Sequence, residues 1–330
     1  MTFVVNPACW RYYHQEQLAD LMESHTFLFP NFVRMTFPYQ PAYAKIARKD
    51  EPFTDDFGCV WTTGLDGLTG TVTGHPLSDW SAFDTYKAPD PNMCMGIGPI
   101  DWAAEAVRIE ALNRENEFSA GLLRHGHTFL QLSDIRGYTN LMYDMADEDP
   151  RLYQLIELVE AFNQAIVNRY AAMNVDMMGY AEDLGMQRGP MISPEHFRMY
   201  IKPSYHRLMK SAHDKNILVH LHSDGDIRTL IGDLMDDGVQ IINLQDLVNG
   251  IDWIAKTLKG KVCIELDLDR QLVTTSGTPR EVDELIRREV ETLSAPEGGF
   301  AMIYGLYPGV PIENVKAIMD AMEKYAFIHD

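Results

Sequence analysis

From about residue 118 onward, short apolar runs alternate with longer stretches of helical periodicity, a pattern that folds as repeated βα units around a parallel sheet. Six runs read as strands: Phe118–Leu123, Val175–Tyr180, Ile217–Leu221, Val239–Asn243, Val262–Leu266 and Phe300–Tyr304. The helices between them carry their own start and stop signals. Thr278, Pro279 and Glu281 supply an N-cap, a first-turn proline and a capping-box acid ahead of Val282, Leu285, Ile286 and Leu293. Ser193, Pro194 and Glu195 open another helix in the same way, and Pro203 is set to kink or divide it. Ile227, Leu230, Ile231, Leu234 and Met235 form one apolar face that ends at Gly238. A last helix follows Ile312, Val315, Ile318, Met319, Met322 and Tyr325.

Residues 1–117 are richer in Gly, Pro, Trp and Asp, and are expected to supply the first barrel elements together with an extension. Their turn signals between Asp56 and Trp80 are too frequent for long helices and predict hairpins or loops, placed to cover the barrel mouth. The glycines at Gly64, Gly67, Gly70 and Gly74 have neither the preceding strand nor the following helix that a nucleotide loop requires. No fixed-length repeat or low-complexity linker interrupts the chain, so one domain over 1–330 is expected, with clear βα repeats over 118–326. With 28 Lys plus Arg against 48 Asp plus Glu, a formal charge of -20 disfavours nucleic acid and anionic membranes as partners. The apolar runs are strand-sized and the four cysteines lie far apart, which suits a cytoplasmic protein in a reducing compartment.

Parallel barrels gather the residues just after each strand at one face, where their active sites lie. Applied here, the rule collects Arg124, His125 and His127; Glu182 and Asp183; His222, Asp224 and Asp226; Asn243 and Gln245; Asp267 and Asp269; and Tyr307. His222 and Asp224 stand two residues apart at a strand end, so imidazole and carboxylate can point the same way toward one metal. The alternative is that Asp224 or Asp226 caps the helix near Ile227 and His222 binds no metal. Glu182 offers a third ligand or a general acid or base, or else is a loop acid held by Arg188. Asp267-Leu268-Asp269-Arg270 reads equally as a turn with a local ion pair.

The run from Glu182 through Gly185, Arg188, Gly189 and Pro190 to Pro194, followed by His222-Ser223-Asp224-Gly225-Asp226-Ile227, resembles the uroporphyrinogen decarboxylase superfamily. Asn243-Leu244-Gln245, Gly277 to Val282 and Pro311 to Val315 extend the resemblance over residues 118 to 326. It implies an α/β fold, a TIM-type (β/α)8 barrel with an amino-terminal extension. The superfamily holds porphyrinogen decarboxylases and also zinc-dependent methyltransferases that exchange methyl groups with a corrinoid protein. The decarboxylases' Arg-Gln-Ala-Gly-Arg-Tyr and Phe-Ser-Asp segments have no counterpart here; Arg34 is at best a remnant.

The methyltransferase branch uses His-x-Cys and a later cysteine as zinc ligands. In this chain Asp224 follows His222 at that spacing, and Gly305-Leu306-Tyr307 stands where the later cysteine would be. A zinc site of His222, Asp224 and Glu182 would be oxygen-rich, which suits stabilising an oxygen leaving group more than activating a thiol. The resemblance therefore implies a methyltransferase that demethylates a methoxylated small molecule and passes the methyl to a corrinoid protein. Glu182, His222 and Asp224 are its expected catalytic residues, and Arg124, His125, Arg136, Gln187, Asn243, Gln245, Asp267 and Tyr307 its expected substrate contacts. The alternatives are a decarboxylase-like lyase acting on a porphyrin-type substrate, or a non-catalytic binding barrel.

Overall fold

The computed structural model describes residues 1–329. Its residues group into two compact units, each assembled from separated stretches of chain: 1–51, 63–69 and 243–330 in one, 52–62 and 70–242 in the other. Among the described residues, no helix is long and apolar enough to cross a membrane.

The unit that contains both termini is built on parallel strands Thr2–Val5, Phe300–Leu306 and Cys263–Asp267. Thr2 pairs with Ile303 and Val5 with Leu306, so the first residues of the chain lie beside a strand just over three hundred positions later. Ile264, Leu266, Met302, Tyr304 and Leu306 are buried, and helices Pro279–Leu293 and Ile312–Tyr325 turn Val282, Ile286, Ile318 and Met322 inward. Each such side chain stabilises the fold by about 1.5–3 kcal/mol relative to exposure. The capping box at Thr278 and Glu281 forms as the sequence predicts.

The other unit carries parallel strands Ala120–Leu122, Met177–Ala181 and Leu218–Ser223. Strand Ile241–Gln245 begins in this unit and ends in the first. All six strands read from the sequence form, their ends displaced by a few residues. Helix Pro150–Ala172 packs so tightly on Gly121 that a Cβ there would lie 2.3 Å from the Tyr170 ring. Ser193 caps the short helix Pro194–His196, a π-helical turn Phe197–Ile201 follows, and helix Lys202–His213 starts with Pro203 in its first turn. The division expected at Pro203 is thus a one-turn bulge, which accommodates a residue with no backbone N–H. The hairpins expected before Trp80 form an antiparallel sheet of Phe53–Thr54, Val60–Thr62 and Thr71–Gly74.

Candidate functional site

Ala181 pairs with His222 across neighbouring parallel strands. Asp183 lies two residues beyond Ala181 and Asp224 two beyond His222, so both acids leave the strand ends on the same side. The following turns meet at backbone contact: Gly185 N–H donates to Asp224 O at 3.1 Å, and Asp226 N–H to Met186 O at 2.7 Å. A Cβ on Gly185 would lie 2.5 Å from Asp226 N, and Gly225 holds φ +80°, so glycine is required at both positions.

Asp183 is the centre of the resulting cluster. Its Oδ1 lies 3.3 Å from His125 Nε2, 3.5 Å from His222 Nε2 and 3.1 Å from the Asp224 N–H that donates to it. His222 Nε2 is also 3.9 Å from Asp224 Oδ1, and the two imidazole rings are 5.6 Å apart. Burial alone would raise the Asp183 pKa, but hydrogen bonds from His125 and His222 outweigh it and hold the carboxyl well below the usual range. One donor atom from each of His125, Asp183 and His222 lies within 4.8 Å of the others, close enough for a single metal ion to bind all three. The site is open, His125 half exposed and His222 one-fifth exposed.

Glu182, although adjacent to Asp183, does not join this cluster. It is fully buried, and its carboxylate accepts N–H bonds from Thr128 at 3.0 Å, Phe129 at 2.8 Å and Leu130 at 3.0 Å, and the Tyr205 hydroxyl at 2.9 Å. Those N–H groups are the otherwise unpaired donors opening helix Phe129–Arg136. Burial pushes the Glu182 pKa up, and the four hydrogen bonds pull against it. The partners expected for this acid in sequence, a metal or Arg188, give way to the helix end. Beside it, burial drives His127 down to about 3, so this imidazole is neutral.

The uroporphyrinogen decarboxylase (URO-D) family matches residues 68–325, most of the chain and the whole segment that carries this cluster. The chain belongs to that family. Uroporphyrinogen decarboxylase of Thermus thermophilus is 28% identical to it over 140 residues, 41% of this chain and 38% of the enzyme. Methylcobamide:CoM methyltransferase MtaA of Methanosarcina barkeri is 21% identical over 164 residues, 49% of this chain and 45% of that protein. The chain thus spans less than half the length of the curated relatives it matches. A solved methyltransferase from Methanosarcina mazei superposes with a TM-score of 0.63 at 17% identity, covering 94% of this chain and 84% of the other. The fold is the TIM-type α/β barrel of the URO-D family.

Within this URO-D barrel the other expected substrate contacts fare differently. Arg124 is buried, donating to Gln131 Oε1 at 2.6 Å and lying 3.4 Å from Asp55 and 3.6 Å from Asp134. It also sits 5.8 Å from the Trp61 ring centroid, so it ties the antiparallel sheet to the strand end before His125. Arg136 is closed onto Asp144 at 2.7 Å and onto Leu77 O, and stacks on Trp80 at 4.0 Å. Both guanidiniums are buried and paired with internal carboxylates. Gln187 is exposed in the turn between Gly185–Met186 and Gly189–Pro190.

In the first unit, Asn243 is buried and donates to Glu265 O at 2.8 Å. Asp267 takes Arg270 at 2.6 Å, the local ion pair that its tetrapeptide allowed, and Arg270 lies 5.7 Å from the ring centroid of the exposed Tyr307. Gln245 is partly exposed at its strand end, and its carbonyl accepts from Asn249 at 2.9 Å. The residue underrated by sequence is Asp183. Parity with His222 through the Ala181 pairing was the signal that could have separated it from Glu182.

Proposed function

We propose that this URO-D family chain is a methyltransferase that demethylates a methoxylated small molecule and passes the methyl group to the cobalt of a corrinoid protein. The observation that carries the reading is the convergence of His125, Asp183 and His222 at one set of strand ends. Zinc suits this donor set, because two imidazoles and a carboxylate leave a fourth position for substrate. Bound there, zinc supplies Lewis acidity toward a substrate oxygen.

The reaction breaks the methyl–oxygen bond and leaves its electron pair on oxygen. The methyl carbon bonds to the electron pair of the partner's cobalt(I), and a proton reaches the oxygen. Asp183, which accepts from His125 Nε2 in the metal-free site, would serve as the anionic ligand between the two imidazoles. Asp224, partly exposed beside His222, is the acid placed to relay a proton from solvent to the leaving oxygen. The nitrogen and oxygen donors of the cluster favour this ether chemistry over thiol activation.

The 28% identity to decarboxylases favours a second reading, a lyase acting on a porphyrin-type substrate. A substrate with several carboxylates calls for cations that face it, and Arg124 and Arg136 are instead neutralised internally. The two readings separate in one assay. The zinc-supplemented protein is mixed with a reduced corrinoid protein and a panel of methoxylated compounds, and methyl–cobalt absorbance is followed; in parallel, uroporphyrinogen is supplied and carbon dioxide measured. Methyl–cobalt formation that is lost in Asp183→Ala supports the first reading. Carbon dioxide release without methyl transfer overturns it.

A further inference from the structure

We infer that Glu182 is a positioning residue that sets the geometry of the His125–Asp183–His222 cluster by fastening together the three chain segments that carry it. The inference rests on the reading of that cluster as the working site.

Its carboxylate holds the segment that follows His125, through the N–H groups of Thr128, Phe129 and Leu130. Its own peptide N–H donates to His222 O at 3.0 Å, and its side chain precedes Asp183 by one residue. Gly126 N–H closes the same junction on Ala181 O at 2.8 Å. Tyr205, on helix Lys202–His213, anchors the carboxylate from behind at 2.9 Å. All three ligand-bearing segments therefore meet on one buried residue that cannot itself touch a substrate.

The chemistry of the group suits the task. A carboxylate accepts several hydrogen bonds at once, and the start of helix Phe129–Arg136 presents both unpaired N–H donors and the positive end of its dipole. A glutamine of the same shape offers one acceptor oxygen and sets an amide N–H₂ against these donors. Glu182→Gln should therefore let the helix start, and His125 with it, move away from Asp183, while the strands keep their pairing. Outer partners of this kind typically change metal affinity by roughly 10- to 100-fold.

The experiment compares metal-free crystal structures of the wild type and Glu182→Gln, and zinc affinities by calorimetry for both, for Tyr205→Phe and for Asn314→Ala. Asn314 is buried in the other unit, where it holds Thr274 O and Gly277 O, and reports destabilisation unrelated to the cluster. The expected result is a longer His125–Asp183 separation and zinc affinity lower by roughly 10- to 100-fold in Glu182→Gln. Tyr205→Phe should weaken zinc by a smaller factor, and Asn314→Ala not at all. An unchanged His125–Asp183 distance with unchanged affinity overturns the inference. Should Glu182→Gln fail to fold, Tyr205→Phe decides: weaker zinc binding than in Asn314→Ala supports the role, and equal binding overturns it. A wild type that binds no zinc contradicts the metal reading of the cluster, while the crystallographic distance still decides what Glu182 does.

Discussion

Acids lie at the strand ends of both units, and apart from Glu182, which like Asp269 holds the backbone N–H groups of a helix start, the two units use them differently. In the unit of residues 52–62 and 70–242, Asp183 and Asp224 turn toward histidines at an open surface. In the other, Asp269 is buried, and its carboxylate accepts N–H bonds from Gln271, Leu272, Val273 and Thr274, capping the helix Val273–Ser276. Asp246 takes the N–H of Leu247 and of Asp269, and Glu289 is buried nearby. A polar residue after a barrel strand is therefore not a sign of chemistry by itself. What distinguishes Asp183 and Asp224 is that their carboxylates meet imidazoles at the surface, whereas Asp246 and Asp269 satisfy backbone groups in the interior.

The sharpest way to break this contrast is to remove one acid from each side. Asp183→Ala is expected to reduce zinc affinity by more than about 100-fold, measured by calorimetry, with a melting temperature close to that of the wild type. Asp269→Ala should do the reverse, lowering stability in denaturant titration by about 1–3 kcal/mol through orphaned backbone donors and leaving zinc affinity unchanged. Loss of zinc binding in Asp269→Ala would erase the distinction.

Glu289 sharpens the contrast through pH. Burial, and then the charges of Asp246 and Asp269, push its pKa well above the ordinary carboxyl value, with Arg288 as the opposing cation. The folded state thus binds a proton that the unfolded chain gives up near pH 4.5, so stability is full below that pH and falls as pH rises toward the folded pKa. Glu289→Gln should flatten this dependence, making the variant more stable than the wild type in mildly alkaline buffer and nearly equal to it in acid, read by denaturant titration at the two pH values. The smallest effect is expected at Asp224→Asn, a loss of about 3- to 10-fold in zinc affinity, since Asp224 stands beside His222 and outside the closest trio.

Much of this arrangement is legible in the sequence, because the repeated βα pattern, the Thr278 capping box and the Ser193-Pro194 helix start are local signals. The first strand is not, since Thr2–Val5 is four residues long and depends on pairing with Ile303 to Leu306. The site divides on the same line. His222 and Asp224 are related by spacing within one strand end, whereas the choice between Glu182 and Asp183 is made by register with the neighbouring strand. One residue of parity sends Glu182 into the interior and Asp183 to the surface. The arginines mislead for a related reason: Asp55 and Asp144, which neutralise Arg124 and Arg136, are distant in sequence or hidden in a helix.

The central claim, that His125, Asp183 and His222 form a metal-binding site, is tested most directly by elemental analysis of protein purified without chelators, alongside His222→Ala and Asp183→Ala. About one zinc per chain in the wild type, lost in both variants, is the expected result. Metal below roughly a tenth of an equivalent, unchanged after zinc is added, would contradict it.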